Sequence, residues 1–82
     1  MMAKKDRPSS VTEKEGFILE WFSRRGELDV NIYKKNSDGT KGSLISELVY
    51  PKIKGTGPAD WEPEAVSIAK SELEKQEEAR KE

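Results

Sequence analysis

The chain has 82 residues, with 15 Lys and Arg against 16 Asp and Glu, so its formal net charge is −1. A chain of this length is expected to form one small domain. It contains no Cys and no His, which excludes disulfides, thiolate-bound zinc and a histidine proton shuttle. We therefore predict that the protein binds no metal and no cofactor, and that it is not an enzyme.

The sequence shows no targeting or membrane-spanning segment, and its charge is unevenly distributed. No apolar run approaches the roughly 20 residues that span a membrane, and residues 1–8 lack the apolar core of a signal peptide. We therefore predict a cytoplasmic protein without a membrane partner. Residues 1–54 carry 11 basic and 8 acidic side chains, whereas residues 55–82 carry 4 and 8. The first part of the chain is thus mildly basic and the second part acidic.

The N-terminal segment is predicted to be a flexible tail over residues 1–12, because it has too few apolar side chains to offset its ordering entropy. The apolar run that follows is ambiguous between strand and helix over residues 13–24. Thr12 and Glu15 have the spacing of a helix capping box. The aromatic and β-branched residues after Gly16 favour a strand instead, and we predict one over residues 16–23.

The next two elements form the clearest pattern in the chain. Apolar and polar residues alternate over residues 27–35, which indicates a half-buried strand. Residues 36–39 (Asn-Ser-Asp-Gly) have the composition of a hairpin turn, because Asn and Asp bond to nearby amides and Gly accepts a positive φ angle. A third strand is predicted over residues 43–50, ending before Pro51, which cannot donate to a strand ladder.

In the C-terminal part of the chain, the spacing of apolar residues changes from the two-residue period of a strand to the period of a helix. Residues 52–60 are predicted to be a linker, since they hold two Gly and one Pro. Asp60 is predicted to cap a helix that starts at Trp61 and ends near residue 75, with Trp61 packed on the sheet. Residues 76–82 are charged and are predicted to be a fraying helix end.

Together these elements predict an α+β fold: a three-stranded antiparallel β-meander packed on one C-terminal α-helix, as a single domain over residues 13–75. The alternation of the strands and the helical periodicity predict which side chains form the core. These are Phe17, Leu19, Trp21, Leu28, Val30, Ile32, Leu44, Leu48, Trp61, Ala65, Ile68 and Leu73.

Two local motifs resemble ligand loops but fail on spacing. If residues 36–39 belonged to a calcium loop, its first ligand would be Lys34 and its closing acid would be Ile45. Gly55 and Gly57 lie before a predicted helix, but no Gly-Lys-Ser/Thr follows and acidic residues occupy the helix start. We interpret both as ordinary turn and linker sequence.

The predicted function is a non-catalytic protein-interaction or regulatory module. One short helix covers only one face of a sheet, so the apolar residues of the other face are left for another protein or for a second copy in a homodimer. The predicted partner-binding residues of this face are Ile18, Phe22, Tyr33, Ile45 and Val49.

The alternative prediction is weak, sequence-tolerant binding of single-stranded nucleic acid. Basic residues at strand ends and turns would contact phosphates, and aromatic residues between them would stack on bases. The predicted residues for this alternative are Arg24, Arg25, Lys34, Lys35, Lys41, Lys52 and Lys54.

Overall fold

A computed structural model describes residues 7–81 of the chain. It contains a four-stranded antiparallel sheet in the order β1-β2-β3-β4, followed by one helix. The α+β class and the meander with its C-terminal helix are therefore confirmed, whereas the count of three strands is wrong. The elements are β1 (Ser10–Lys14), β2 (Phe17–Arg24), β3 (Glu27–Lys35), β4 (Lys41–Pro51) and α1 (Pro58–Lys81).

The additional strand β1 lies in part of the segment that was predicted to be a tail. It pairs with β2 through Val11 opposite Glu20 and Thr12 opposite Leu19. The connecting turn has positive φ at both central residues, Glu15 (49°) and Gly16 (86°), which matches the twist of a tight hairpin. The tail prediction is thus wrong for residues 10–12, and residues 1–6 lie outside the described part of the chain.

The core lies between one face of the sheet and α1. Leu19, Trp21, Val30 and Ile32 on β2 and β3 are fully buried, and neighbouring pairs face each other across the two strands. The helix contributes small and β-branched side chains, which let it approach the sheet closely. The buried cluster consists of Phe17, Leu19, Trp21, Leu28, Val30, Ile32, Ile45, Tyr50, Ala65, Val66 and Ala69, with Leu48, Trp61 and Leu73 packed against it.

An irregularity in β4 explains where the predicted core and the predicted open face are wrong. Tyr33 pairs with Leu44 and Ile32 pairs with Ser46, so Ile45 is an extra residue on β4. The bulge places Ile45 in the core and leaves Leu44 outside it, 44% exposed. The prediction of Leu44 as core and of Ile45 on the opposite face is therefore wrong for both residues. Ile68, also predicted as core, is only partly buried.

The helix starts earlier than predicted because its first turn is closed by Asp60. The Asp60 N–H donates to the Gly57 carbonyl (3.0 Å), and the Asp60 Oδ2 accepts from the Gly57 N–H (2.7 Å). Asp60 is thus the third helical residue reaching back to the cap position, rather than the cap itself. Pro58 occupies the first helical position, where its missing N–H costs nothing.

The start of α1 is held to the sheet by an aromatic contact. The rings of Tyr50 and Trp61 stack with centroids 4.5 Å apart and planes 12° from parallel. This confirms that Trp61 packs on the sheet. The helix extends to Lys81, beyond the predicted end near residue 75, and the fraying of its last turns stays a prediction.

Replacing Val30 by Asp is expected to unfold the domain. The Val30 side chain is fully buried in the central strand β3, and an unpaired charge there costs several kcal/mol, about as much as such a small domain has available. Circular dichroism and the dispersion of an amide NMR spectrum measure the result. Val49→Asp is the matched control, because Val49 is 62% exposed and its change should leave the fold intact.

Replacing Gly39 by Ala is expected to lower the free energy of unfolding by about 1–2 kcal/mol. Gly39 has a φ angle of 89°, and its N–H closes the predicted hairpin turn by donating to the Asn36 carbonyl (2.9 Å). Gly39→Asn should lose less, since Asn tolerates positive φ better. Urea unfolding measures both, and equal stability of the Ala variant and the parent protein would contradict the argument.

Candidate functional site

The face of the sheet opposite α1 is called here the open face. Its members follow from the register, because directly paired residues share a face and neighbours along a strand alternate. Its apolar side chains come from all four strands and are separated by charged ones. The apolar members are Val11, Ile18, Phe22, Tyr33, Leu44 and Val49; the polar members include Glu13, Glu20, Arg24, Glu27, Asp29, Asn31, Lys35 and Glu47.

Four of the five predicted partner-binding residues lie on the open face, and Ile45 lies on the helix side. Val49 is strongly exposed, Tyr33 is half-buried, and Ile18 and Phe22 are buried. No element of the described chain packs over this face, so the burial of its apolar side chains comes from neighbouring side chains of the same face. The role of these four residues in partner binding stays a prediction.

Two cations lie over aromatic rings of the open face. The Arg24 guanidinium is 5.4 Å from the centre of the Phe22 ring, and the Lys41 Nζ is 4.5 Å from the centre of the Tyr33 ring. Long cationic side chains cover apolar surface with their stems while their charged groups stay in water. The open face is thus partly covered by its own side chains.

Two exposed apolar residues of the open face were missed by the sequence analysis. Val11 is 52% exposed and lies on β1, which was predicted to be a tail. The β-branched pair Val11 and Thr12 before Glu15-Gly16 was a signal for a short hairpin strand. Leu44 was missed because the bulge at Ile45 shifts its face, and no pattern in the sequence marks that bulge.

The cations of the open face are paired with acids of the same face. The Lys35 Nζ contacts Glu13 (2.8 Å), the Lys41 Nζ contacts Glu20 (2.8 Å), and the Arg24 Nε contacts Asp29 (2.9 Å). The hydrogen bond with Glu20 raises the pKa of Lys41. Exposed pairs of this kind add little stability, but they leave these cations less available to a polyanion.

An acidic corner is formed by Glu27, Asp29 and Glu47 on β3 and β4. Glu27 and Asp29 are two positions apart on β3 and share a face. Glu47 on β4 pairs with Asn31, which is two positions beyond Asp29. The pKa of Glu27 is raised because its protonated carboxyl donates a hydrogen bond to Asp29 and the negative charge of Asp29 repels its ionised form. The Asp29 Oδ1 is buried and has no hydrogen-bond partner among the described residues. Arg24 pairs with Asp29, so this corner holds three acidic side chains against one cation.

The residues predicted for nucleic-acid binding fall into separate groups. Arg24 and Arg25 lie at the end of the sheet where β2 turns into β3, and the Lys52 Nζ donates to the Arg24 carbonyl there (2.9 Å). Lys34, Lys35 and Lys41 lie at the opposite end, and Lys54 lies in the loop before α1. The structure thus brings six of the seven residues together as two clusters at opposite ends of the sheet, and not as one continuous stripe.

A shallow cavity of about 260 Å³ lies at the other face, between the start of β1, the end of β2 and the loop before α1. Its polar lining residues are Ser9, Ser10, Ser23, Lys52 and Thr56. Its volume is below the roughly 300–1,000 Å³ of typical small-molecule sites. Within residues 7–81 no cluster of three or more acidic side chains has the arrangement of a metal site.

No protein-family model matches the chain, and no curated protein or solved structure matches it significantly. Among the described residues, no helix is both long and apolar enough to span a membrane.

Replacing Asp29 by Asn is expected to lower the pKa of Glu27 towards that of an ordinary glutamate. Because folding raises the pKa of Glu27, the folded chain binds this proton more tightly than the unfolded chain. The repulsion therefore destabilises the fold when the pH lies above this pKa, and it disappears as the pH falls below it. An NMR titration of the side-chain carboxyl carbons measures the shift.

Glu47→Gln is the control for this titration, since it removes a nearby acid while leaving Asp29 in place. The pKa of Glu27 should stay raised in that variant. An unchanged Glu27 titration in Asp29→Asn would show that Asp29 is not the cause.

Proposed function

We propose that this protein is a small non-catalytic interaction module that binds another protein through the open face of its sheet. The observation that carries the proposal is the exposure of large apolar side chains on that face. Val11, Leu44 and Val49 are each more than two-fifths exposed, and they come from both edges of the sheet. Exposed apolar side chains on one surface, with polar neighbours between them, are typical of a protein partner site.

The charges of the open face support a protein partner over nucleic acid. Arg24, Lys35 and Lys41, three of the predicted phosphate contacts, are paired with carboxylates of the same face. A polyanion would have to displace those carboxylates and would also meet Glu27 and Glu47. Binding of nucleic acid gains its affinity from cations that are free to neutralise phosphates.

The double variant Leu44→Asp/Val49→Asp is expected to lose partner binding while keeping its fold, because both side chains are exposed. Proteins captured by the parent chain from a lysate of the source cells are identified by mass spectrometry, and each candidate is then purified. Direct binding of the purified candidate is measured by calorimetry. A loss of about tenfold or more is expected, since two apolar contacts are replaced by charges.

The matched control is Ser67→Asp/Ser71→Asp, which adds the same charge to exposed positions of α1. It should bind the partner as the parent chain does. Equal affinity of the parent chain and the Leu44/Val49 variant would reject the open face as the binding surface. A salt-sensitive affinity for a single-stranded oligonucleotide, lost when Arg24 and Arg25 become Ala, would favour the nucleic-acid function instead.

A further inference from the structure

The outer edge of β4 has backbone groups without a strand partner in residues 7–81. The Lys52 N–H donates to the Gly26 carbonyl (3.3 Å), which identifies the hydrogen-bonded positions between β3 and β4. Backbone groups alternate sides along a strand. Ser46, Leu48 and Tyr50 therefore bond towards β3, whereas the N–H and C=O groups of Glu47 and Val49 point away from the sheet.

This free edge is regular only over a short segment. The two register shifts opposite Tyr33 disturb the first half of β4, and Pro51 ends the segment because it has no N–H to donate. The regular edge thus covers residues 46–50. A short edge bounded by bulges and Pro resists unlimited sheet growth but can still accept one strand.

The two residues with outward backbone groups also present outward side chains to the open face. Val49 is 62% exposed, and Glu47 is exposed with no ion-pair partner among the described side chains. Glu47 belongs to the acidic corner, and Val49 adjoins it because Val49 pairs with Asp29. An added strand would meet an acid and an apolar side chain at two successive positions of the same face.

We propose that β4 binds an extended basic and apolar segment of the partner as a fifth strand. A Lys or Arg of that segment lies opposite Glu47, and an apolar residue two positions along lies opposite Val49. Main-chain hydrogen bonds to Glu47 and Val49 supply sequence-independent affinity, and the two side-chain positions supply specificity. This inference rests on the proposed function and names its partner's chemistry.

A second copy of the chain fits this edge less well. When two copies of β4 pair antiparallel about a twofold axis, outward residues must face outward residues. Glu47 of one copy then lies opposite Glu47, Val49 or Pro51 of the other. None of these arrangements brings a cation to Glu47. Charge complementarity therefore favours a basic segment over a homodimer.

The probe is a blocked synthetic peptide in which Lys and Val alternate at the positions that share one face of a strand, with Thr at the positions between them. Amide NMR spectra of the full-length protein should show shifts at residues 46–50 as this peptide is added, and calorimetry should give its affinity. The same peptide with Glu in place of Lys should bind more weakly, because it meets Glu47. The Lys peptide with alternate amides methylated should not bind, since it keeps its side chains but cannot complete the ladder.

Two protein variants separate the backbone and side-chain contributions. Val49→Pro removes an outward N–H while sparing the bonds to β3, and it should abolish binding. Val49→Ala also loses the Val side chain but keeps that N–H, so it should bind more weakly than the parent chain and still measurably. Glu47→Lys should weaken binding of the Lys peptide on the order of fivefold and strengthen binding of the Glu peptide. This exchange of preference does not depend on whether the Pro variant folds.

Several outcomes would overturn the inference. These are no binding of the Lys peptide, equal binding of the methylated peptide, or unchanged peptide preference in Glu47→Lys. A different result would be that the parent chain self-associates in a way that Val49→Pro abolishes and that the Lys peptide does not compete with. That result would assign the edge of β4 to a second copy of the chain. If a partner identified through the open face still binds Val49→Pro, the interaction function stands and only the added strand is rejected.

Discussion

The alternation of side chains along β3 is the constraint on which the rest of the structure depends. Leu28, Val30 and Ile32 face α1, so the residues between them must face the other way. One helix covers only one side of a four-stranded sheet. The residues of β3 that point away from α1 therefore lie on a face without a covering element in residues 7–81. The cations beside Phe22 and Tyr33 cover only part of that face.

The helix side and the open face are stabilised differently. On the helix side, fully buried apolar side chains pack together, and the Tyr50–Trp61 stack joins the end of β4 to the start of α1. The Tyr50 hydroxyl and the Trp61 Nε1 are buried there without hydrogen-bond partners among the described residues, and burial raises the pKa of Tyr50. On the open face, exposed ion pairs contribute little free energy. Substitutions there can consequently alter binding without unfolding the domain.

Ion pairs also distribute charge in a way that composition does not reveal. The first 54 residues are mildly basic, but pairing with Glu13, Glu20 and Asp29 engages the cations of the open face. The acids that remain lie beside the free edge of β4. A basic segment is thus the complementary partner for a surface whose sequence is, on average, slightly basic.

Much of the fold follows from interactions between near neighbours. Period-2 alternation predicts β3, aromatic and β-branched composition favours β2, and the Asn36–Gly39 turn predicts that β4 forms a hairpin with β3. These signals act over a few residues. Long-range pairing decides the rest. Polar β1 becomes a strand only because β2 offers it an edge, and the bulge at Ile45 exchanges the faces of Ile45 and Leu44. Sequence patterns thus predict an open face, whereas the tertiary register decides which side chains occupy it.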